Sequence, residues 1–305
     1  MTTLKWLASA SLALAMVPAL YGEAHCPGNV ASIRLRFVGR SLITVPVMLD
    51  NIGPYDFVVD TGAQITTIDP KLAAELHPLP LGATHVTGVG SYSRAAYAQM
   101  KLLQVGAYST KDALILIQDL KQIQQTDPRI RGILGENFLG HFDLLIDYQH
   151  HIICLDETKE LQQQVKGERI ALTPPLHANE YLPFTLPMIL SIRVSGITDR
   201  PLLLQLDSGI DVPVLFECGK RVTPVQVMGA SQSHRKADEV AQAFAVLMPQ
   251  DMQVGHLSFH QISFVTPVAA GKEVPVKPDV DGVLPTALFQ SAFISYADHF
   301  AVLHQ

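Results

Sequence analysis

Short apolar runs separated by turn-forming residues make up most of the chain after residue 33, a pattern that favours β-strands over long helices. Residues 41–49 read SLITVPVML, and the turn residues 50–54 separate them from a second apolar run, YDFVV, which ends at Asp60. A third run, ALILI, spans residues 113–117. Short helices are predicted at residues 70–76, 136–139 and 286–292. The pattern therefore predicts an all-β protein with a few short helices.

A set of landmarks occurs twice in the same order, with a separation of about 148 residues. The matching landmarks are Asp60-Thr61-Gly62 with Asp207-Ser208-Gly209, Val105-Gly106 with Val254-Gly255, Gly132-Ile133-Leu134 with Gly282-Val283-Leu284, and Tyr148 with Tyr296. One structural plan is thus used twice. The polar, proline-containing stretch 156–180 reads as the connection, which predicts an N-terminal lobe at 25–165 and a C-terminal lobe at 166–305.

Residues 1–24 have the pattern of an export signal. Lys5 gives the positive start, residues 6–20 are apolar and uncharged, and small residues at 22 and 24 predict cleavage after Ala24. An uncleaved membrane anchor is the weaker alternative, because a bilayer span needs about 20 apolar residues. No other segment is apolar for long enough to cross a membrane. The sequence therefore predicts a periplasmic or secreted protein.

Composition narrows the class of partner. Of the 305 residues, 48% are hydrophobic and 16% are charged, and the net charge is −6, which excludes a disordered chain and argues against a nucleic-acid binder. The three cysteines, Cys26, Cys154 and Cys218, allow at most one intramolecular disulfide, and the sequence leaves its identity open. A buried, unpaired Cys154 is an equally good interpretation.

Two Asp-Thr/Ser-Gly triplets, each ending an apolar run and each followed by Gly-Ile/Val-Leu, resemble the aspartic proteases. The resemblance is to the two-lobed pepsin-like enzymes and their retropepsin-like bacterial relatives, and it is strongest at FVVDTGA (57–63) and GILGENFL (132–139). It implies two pseudo-twofold-related β-barrel lobes of the acid-protease type. It also implies that Asp60 and Asp207 form a catalytic dyad across the cleft, acting on a peptide or protein substrate.

The resemblance assigns roles to further residues. It implies that Thr61, Gly62, Ser208 and Gly209 position the dyad, with the glycines allowing a tight turn whose N–H groups point toward the carboxylates. A substrate-covering flap is expected in the hairpin 85–97, where the candidate flap residues are Gly88, Gly90 and Tyr92. An ordinary β-hairpin is the alternative for that segment. Residues 227–237 occupy the corresponding place in the second half and read as a solvated loop.

Paired carboxylates suit amide hydrolysis by water, because the reaction needs one group to take a proton from the water and another to give one. Two carboxylates about 3 Å apart share one proton and so hold both roles, which is the established behaviour of the aspartic protease dyad. No cofactor is expected, because water is the nucleophile. No metal is expected either: His256 and His260 read as surface or partly buried histidines, and Glu136 and Asp143 as surface or capping groups rather than a third acid.

Two departures from the family pattern bear on activity. Pro285 stands where the first half has Gly135, which requires a negative φ there. Ala63 and Ile210 follow the triplets where pepsin-like enzymes carry a hydroxyl, so the charged form of each Asp is less favoured and a pH optimum nearer neutral is expected. The sequence predicts a monomer without an inhibitory pro-segment. The alternatives are a two-lobed peptide-binding protein that no longer cleaves, and a retropepsin-like homodimer.

Overall fold

The computed structural model describes residues 25–28, 30–88, 91–174, 187–216, 224–228, 240–241, 243–268 and 280–305. The first half contributes the strands β1 Ser32–Arg34, β2 Arg36–Val38, β3 Leu42–Leu49, β4 Ile52–Val59, β5 Thr67–Ile68, β6 Leu79–Gly88, β7 Ser91–Val105, β8 Tyr108–Ile117, β9 Ile130–Leu134, β10 Asp143–Asp147 and β11 Ile152–Asp156. The second half contributes β12 Glu168–Ala171, β13 Ile189–Val194, β14 Leu202–Asp207, β15 Val214–Leu215, β16 Pro224–Met228, β17 Val240–Ala241, β18 Ala243–Leu247, β19 Gln250–Val254, β20 Leu257–Ile262, β21 Val265–Val268, β22 Gly282–Pro285, β23 Ser291–Ser295 and β24 Phe300–His304.

The helices are short. They are α1 Pro70–Leu76, α2 Lys121–Gln124, α3 Glu136–Leu139, α4 Glu160–Gln164 and a 3₁₀ helix at Thr286–Leu288. The prediction of an all-β protein with a few short helices is confirmed. None of the helices in the described ranges combines the length and the apolar character needed to cross a bilayer.

Three sheets organise these strands. The N-terminal sheet has the order β17-β7-β8-β5-β9-β4-β3-β2, with β6 paired to β7, and a further β7–β3 pairing closes it on itself. The C-terminal sheet has the order β16-β18-β21-β15-β22-β14-β13-β19-β20. The shared sheet, β1-β11-β10-β23-β24-β12, takes strands from both halves and places β10 beside β23 at its centre.

Burial of residues in β3 and β4 fixes the position of the segment that ends at Asp60. All eight residues of β3 except Leu42, Pro46 and Met48 are buried, and the last three residues of β4, 57–59, are buried with them. The two strands turn at Asp50 and Asn51, whose positive φ values of 49° and 65° are best tolerated by Asp and Asn among residues with a side chain. The turn is thus shorter than predicted, and residues 52–54 already belong to β4.

Each triplet follows a strand that pairs in parallel with a Gly-Ile/Val-Leu strand. In the first half, Phe57, Val58 and Val59 of β4 pair with Gly132, Ile133 and Leu134 of β9. In the second half, β14 pairs with β22 in the same way, from Leu204 with Gly282 to Asp207 with Pro285. The apolar Gly-Ile/Val-Leu strands therefore lie directly beside the strands that deliver the two aspartates.

Two predicted segments differ from the structure. The helix predicted at 286–292 is only a single 3₁₀ turn, because Ala292 belongs to β23, where it is fully buried between Ile146 and Leu303. The stretch 156–180, interpreted as a plain connection, contains α4 and β12, and β12 pairs with β24 in the shared sheet. Residues 175–180 lie outside the described ranges.

A disulfide joins Cys26 to Cys154 in β11. The interpretation of Cys154 as a buried, unpaired thiol is therefore wrong, although its burial is complete. Cys218 lies outside the described residues. The bond ties the beginning of the described chain to the shared sheet, where β1 also pairs with β11.

Candidate active site

The two triplets meet through a reciprocal set of hydrogen bonds. Thr61 Oγ1 donates to the Leu206 carbonyl at 3.0 Å and accepts from the Ser208 N–H at 3.1 Å. Ser208 Oγ donates to the Val59 carbonyl at 2.8 Å and accepts from the Thr61 N–H at 3.1 Å. Thr61 and Ser208 are fully or almost fully buried, so these bonds are shielded from water. The hydroxyls therefore connect the two triplet loops of one chain to each other.

Glycine at the third position of each triplet makes room for the opposite aspartate. A Cβ on Gly62 would come closer than 3.0 Å to the Asp207 carboxylate, and a Cβ on Gly209 would come equally close to the Asp60 carboxylate. Neither glycine has a positive φ, so the requirement is for space rather than for an unusual backbone conformation. Each carboxylate thus lies against the backbone of the other triplet.

Backbone N–H groups orient both carboxylates. Asp60 Oδ1 accepts from the N–H groups of Gly62 at 2.8 Å and Ala63 at 2.9 Å, and Asp207 Oδ1 accepts from Gly209 at 2.7 Å. The expected direction of the glycine N–H groups is therefore observed. Asp207 is buried and Asp60 is partly exposed. Such bonds favour the ionised form of a carboxylate, whereas the neighbouring carboxylate disfavours a second charge, so the arrangement suits one shared proton.

Asn137 braces the loop after the first triplet. Its Oδ1 accepts from the Thr66 N–H at 2.7 Å and from Thr66 Oγ1 at 2.9 Å, while its Nδ2 donates to the Leu114 carbonyl at 2.7 Å. Thr66 Oγ1 in turn accepts from the Gly135 N–H at 3.1 Å. Sequence analysis did not single out Asn137; the signal was the polar pair Glu136-Asn137 inside the mostly apolar motif 132–139.

The two positions that depart from the family pattern have compatible backbones. Gly135 has φ −104°, and Pro285 has φ −62°, as a proline requires. A Cβ on Gly135 would come within 3.0 Å of the backbone of Ala63 and Ile65, so this position is crowded in the first half. In the second half Pro285 pairs with Asp207 itself.

A second layer of polar side chains lies behind the aspartates. The Tyr148 hydroxyl forms a short hydrogen bond with Thr286 Oγ1. Burial raises the pKa of Tyr148, and the charge of Asp207 raises it further. Burial also raises the pKa of Tyr296, and the charges of Glu136, Asp60 and Asp207 add to this effect. The charge of Asp207 thus raises the pKa of both tyrosines.

Glu136 and Asp143 are not surface groups, so the surface part of that prediction is wrong for both. Their exposed fractions are 2% and 5%. Asp143 accepts a hydrogen bond from Gln162 Nε2 at 2.8 Å, and burial raises its pKa. For Asp143 the sequence pattern failed because this residue opens β10 and pairs with β11 on one side and β23 on the other.

The hairpin predicted as a flap is formed by β6 and β7, with Gly88 paired to Ser91. Gly90 lies outside the described residues, and of Tyr92 only the backbone is described, paired with Thr87 and with Val240 of β17. The second-half segment 227–237 is described only to residue 228, at the end of β16. The roles of Gly88, Gly90 and Tyr92 therefore stay predictions.

The histidines set aside in the sequence are exposed. His256 lies in the turn before β20, 3.9 Å from Glu168, and His260 lies 3.3 Å from Asp251. Their side chains are 91% and 76% exposed, which confirms the surface interpretation. Within the described ranges, no three of the His, Cys, Asp and Glu side chains come together in a way that could hold a metal ion.

Comparison with known proteins supports the resemblance. Residues 45–138, less than half of the chain, match the sequence model of a family described as aspartyl protease, and this segment contains Asp60, Asn137 and β9. The aspartic protease resemblance is thereby confirmed for that segment. A solved structure, a retropepsin-like aspartic protease from Rickettsia conorii, aligns at 16% identity with a TM-score of 0.31, covering 42% of this chain and 91% of its own. No curated protein matches the sequence.

Proposed function

From the aspartyl protease segment at residues 45–138, we propose that the protein is an aspartic endopeptidase whose catalytic residues are Asp60 and Asp207. The observation that carries the proposal is the reciprocal bonding of Thr61 and Ser208, which joins two Asp-Thr/Ser-Gly loops within one chain. Each loop also has a glycine against the opposite carboxylate. A pair of carboxylates held in this way is what hydrolysis of an amide by water requires.

The proposed reaction uses one proton shared by the two acids. The ionised aspartate takes a proton from a water molecule as the water oxygen attacks the peptide carbonyl carbon. The protonated aspartate gives its proton to the carbonyl oxygen, which forms a neutral tetrahedral intermediate. Proton transfer from the first aspartate to the leaving nitrogen then breaks the C–N bond, and transfer from the intermediate's hydroxyl restores the shared proton. In this scheme Thr61, Gly62, Ser208 and Gly209 position the acids and transfer no proton.

We extend the proposal to the organisation of the chain. The N-terminal and C-terminal sheets are taken to form two lobes with the dyad at their interface, and the β6–β7 hairpin to be the flap over the substrate. The protein is proposed to act as a monomer, because the two triplets are bonded to each other within one chain. Sedimentation of the active protein tests the monomer proposal, and activity confined to a dimer would contradict it.

Export by residues 1–24 is also proposed. The disulfide between Cys26 and Cys154 supports it, because such bonds form and persist in oxidising compartments outside the cytosol. Processing after Ala24 would leave Cys26 close to the new N-terminus. N-terminal sequencing of the protein recovered from the producing cell tests the site, and a form that begins well inside β1 would contradict it.

The decisive experiment compares cleavage of an unstructured protein by the purified protein and by Asp60→Asn and Asp207→Asn, from about pH 3 to about pH 7. Each substitution keeps the size of the side chain but removes the acid, so we expect kcat/KM to fall by about 10³-fold or more in both. The control is Asp298→Asn, which removes an exposed acid paired with Lys159 and is expected to keep full activity.

Circular dichroism and thermal unfolding of each variant show whether the fold is retained. Cleavage that survives either active-site substitution would contradict the dyad. Absence of cleavage by the folded wild-type protein on a broad peptide library would favour the alternative of a peptide-binding protein.

A further inference from the structure

Backbone hydrogen bonds attach the loop that carries the first aspartate, residues 60–66, to the start of helix α3. The Glu136 N–H donates to the Ala63 carbonyl at 2.8 Å, and the Asn137 N–H donates to the Gln64 carbonyl at 3.1 Å. The first N–H groups of a helix have no partner within the helix, so they are free to bind such a loop. Helix α3 is therefore the support on which this loop lies.

The Asn137 side chain holds the far end of the same loop. Its Oδ1 accepts from the Thr66 N–H at 2.7 Å and from Thr66 Oγ1 at 2.9 Å, and its Nδ2 donates to the Leu114 carbonyl of β8 at 2.7 Å. Thr66 is fully buried, so without this amide its N–H would lose its partner in a place that water does not reach. One amide thus fixes Thr66 to both α3 and β8.

Between these attachments lies an N–H group that binds the catalytic acid. The Ala63 N–H donates to Asp60 Oδ1 at 2.9 Å, and the Ala63 carbonyl is the one that Glu136 holds. The other N–H on this oxygen, that of Gly62, belongs to the triplet itself, which is fixed by the hydroxyl bonds to the second half. A displacement of residues 63–66 would therefore move the Ala63 N–H away from the carboxylate and leave the Gly62 N–H in place.

The second half has a proline where the first half has Thr66. Thr66 and Pro213 are each the sixth residue after their aspartate. Their carbonyls also have equivalent partners, because the Leu116 N–H donates to Thr66 and the Val265 N–H donates to Pro213, both at 2.9 Å. Proline has neither an N–H nor a hydroxyl, so it can donate nothing to a bracing side chain.

The place of Asn137 is also different in the second half. Alignment of the Gly-Ile-Leu strand β9 with the Gly-Val-Leu strand β22 puts Ala287 there, and alanine has no amide. The second half instead has Pro213 and Pro285, whose rings fix the backbone φ angle. The loop of Asp60 therefore depends on one amide side chain that the loop of Asp207 does not use.

We propose that Asn137 is a positioning residue that keeps the Ala63 N–H on the Asp60 carboxylate. The inference rests on the proposed function, in which Asp60 is one of the two acids. An N–H bond favours the ionised form of a carboxylate, so loss of the Asn137 brace should make the Asp60–Asp207 pair hold its protons more tightly. The singly protonated pair, which the proposed reaction needs, would then form only at a higher pH.

The test uses Asn137→Leu, which keeps the approximate size of the side chain and removes both of its bonding partners' contacts. The chemical shift of an amide proton bonded to a carboxylate follows the titration of that carboxylate. We therefore follow the Gly62 and Ala63 amide protons by NMR as pH is varied, a measurement that needs no activity. In Asn137→Leu we expect the titration shift of Ala63 to fall by about half or more, because hydrogen bonds weaken steeply with poor geometry, and that of Gly62 to be retained.

A matched pair of variants at Thr66 separates the brace from packing. Thr66→Val removes the hydroxyl that donates to Asn137 Oδ1 and should give a smaller loss in the same direction, whereas Thr66→Ser keeps the hydroxyl and should behave as wild type. Tyr108→Phe is the control for a general loss of stability, because it removes a hydroxyl bonded to the Leu155 carbonyl at the other end of β8. It is expected to leave the titration of both amide protons unchanged.

Cleavage assays give a second measurement. In Asn137→Leu the acid limb of kcat/KM should move to higher pH by about half a unit. We expect kcat to fall by about 10-fold, because small displacements of reacting groups slow the reaction, while KM stays within about twofold. An Asn137 that only stabilised the fold would lower the unfolding temperature and leave the acid limb in place, and that result would contradict the proposal.

An unchanged Ala63 titration in folded Asn137→Leu would overturn the inference, as would an equal loss in Tyr108→Phe. If Asn137→Leu does not fold, Thr66→Val decides, and a wild-type Ala63 titration in that variant would overturn it. Loss of the Ala63 titration in a protein that cleaves no peptide would mean that the proposed function fails while the positioning of Asp60 by Asn137 stands.

Discussion

Each glycine of the two triplets leaves a space that the opposite aspartate occupies. At this scale the site depends on single atoms: two hydroxyls that cross between the loops, two missing Cβ atoms and three backbone N–H groups directed at the carboxylates. Small substitutions in the two triplets should therefore reduce activity more than larger substitutions in strands far from the triplets.

A methyl group at Gly62 or Gly209 is expected to reduce activity strongly with a moderate loss of stability. In Gly62→Ala the new Cβ would overlap the Asp207 carboxylate, and in Gly209→Ala it would overlap Asp60, so the carboxylates must separate. Overpacking of this kind costs about 1–3 kcal/mol. We expect kcat/KM to fall by about 100-fold or more, because an error of about 1 Å at reacting groups has that effect. Thermal unfolding and cleavage assays of both variants measure the two effects, and an alanine variant with wild-type activity would contradict the close approach.

The identity of the two aspartates could be read from the sequence, because each triplet is a local motif at the end of an apolar strand and occurs twice. The need for space at Gly62 and Gly209 could not be read from the sequence, because the aspartate that fills each space belongs to the opposite half of the molecule. The burial of Glu136 was missed for a similar reason, because nothing in its neighbourhood along the chain indicates that the fold covers it. The disulfide partner of Cys154 could not be read from the sequence either, because Cys26 is brought to it by the pairing of β1 with β11.

At the scale of elements, the parallel pairs β4–β9 and β14–β22 deliver the aspartates, and the second pair is fixed at its far end by polar contacts. In the second half Asp281, just before β22, does this. Its carboxylate accepts from the Leu203 N–H at 2.8 Å and from Arg200, and its own N–H donates to the Leu203 carbonyl at 2.7 Å. Burial raises the pKa of Asp281, but the hydrogen bonds from Arg200 and Leu203 outweigh burial, and the pKa lies below its usual value.

A lowered pKa makes the ionised carboxylate a stabilising group in the folded state. Its contribution is fully present above the pKa of the unfolded chain, about 3.9, and is lost as pH falls through the lower pKa of the folded state. We expect Asp281→Asn to reduce the free energy of unfolding by about 1–3 kcal/mol at neutral pH, with a smaller difference from wild type in strong acid. Urea unfolding at several pH values measures this. The control is Asp211→Asn, which changes an exposed residue. An equal loss of unfolding free energy in the control would contradict this role of Asp281. A difference between Asp281→Asn and wild type that does not become smaller at low pH would also contradict it.

Elements that a local pattern defines were predicted well. Helix α1 has the predicted bounds because Asp69 caps it, accepting from the N–H groups of Lys71 and Leu72, and proline occupies its first turn. The 3₁₀ helix after Pro285 is shorter than predicted because the shared sheet takes up residues 291–295. Pairing across the sheet decides that boundary, and a single sequence carries no signal for it.

For the whole molecule, the shared sheet is where the two halves are joined. Its central strands β10 and β23 pair over their full length, from Asp143 with Ser295 to Asp147 with Ser291. The Cys26–Cys154 disulfide is attached to the same sheet and closes a loop of 128 residues. Because a long loop leaves the unfolded chain many conformations to lose, a crosslink across it should stabilise the fold substantially.

Removal of this disulfide is expected to lower the free energy of unfolding by about 2–5 kcal/mol. The double variant Cys26→Ala with Cys154→Ala and the wild-type protein in reductant should show the same loss in urea unfolding. Reductant added to the double variant is the control and should have no further effect. A wild-type protein whose stability is insensitive to reductant would contradict a structural role for the bond.

The order of the shared sheet sets the timing of folding. Strand β10 is complete by residue 147, yet its neighbour β23 begins at residue 291 and the next strand, β24, begins at residue 300. A sheet built from pairings so distant in the chain forms slowly and late during synthesis, since most of the polypeptide must be available before its centre can close. The two aspartates come together only through the same long-range assembly. Nascent and partly folded chains would therefore lack the paired acids, so the protein would acquire its proposed hydrolytic chemistry only after β23 and β24 have been synthesised.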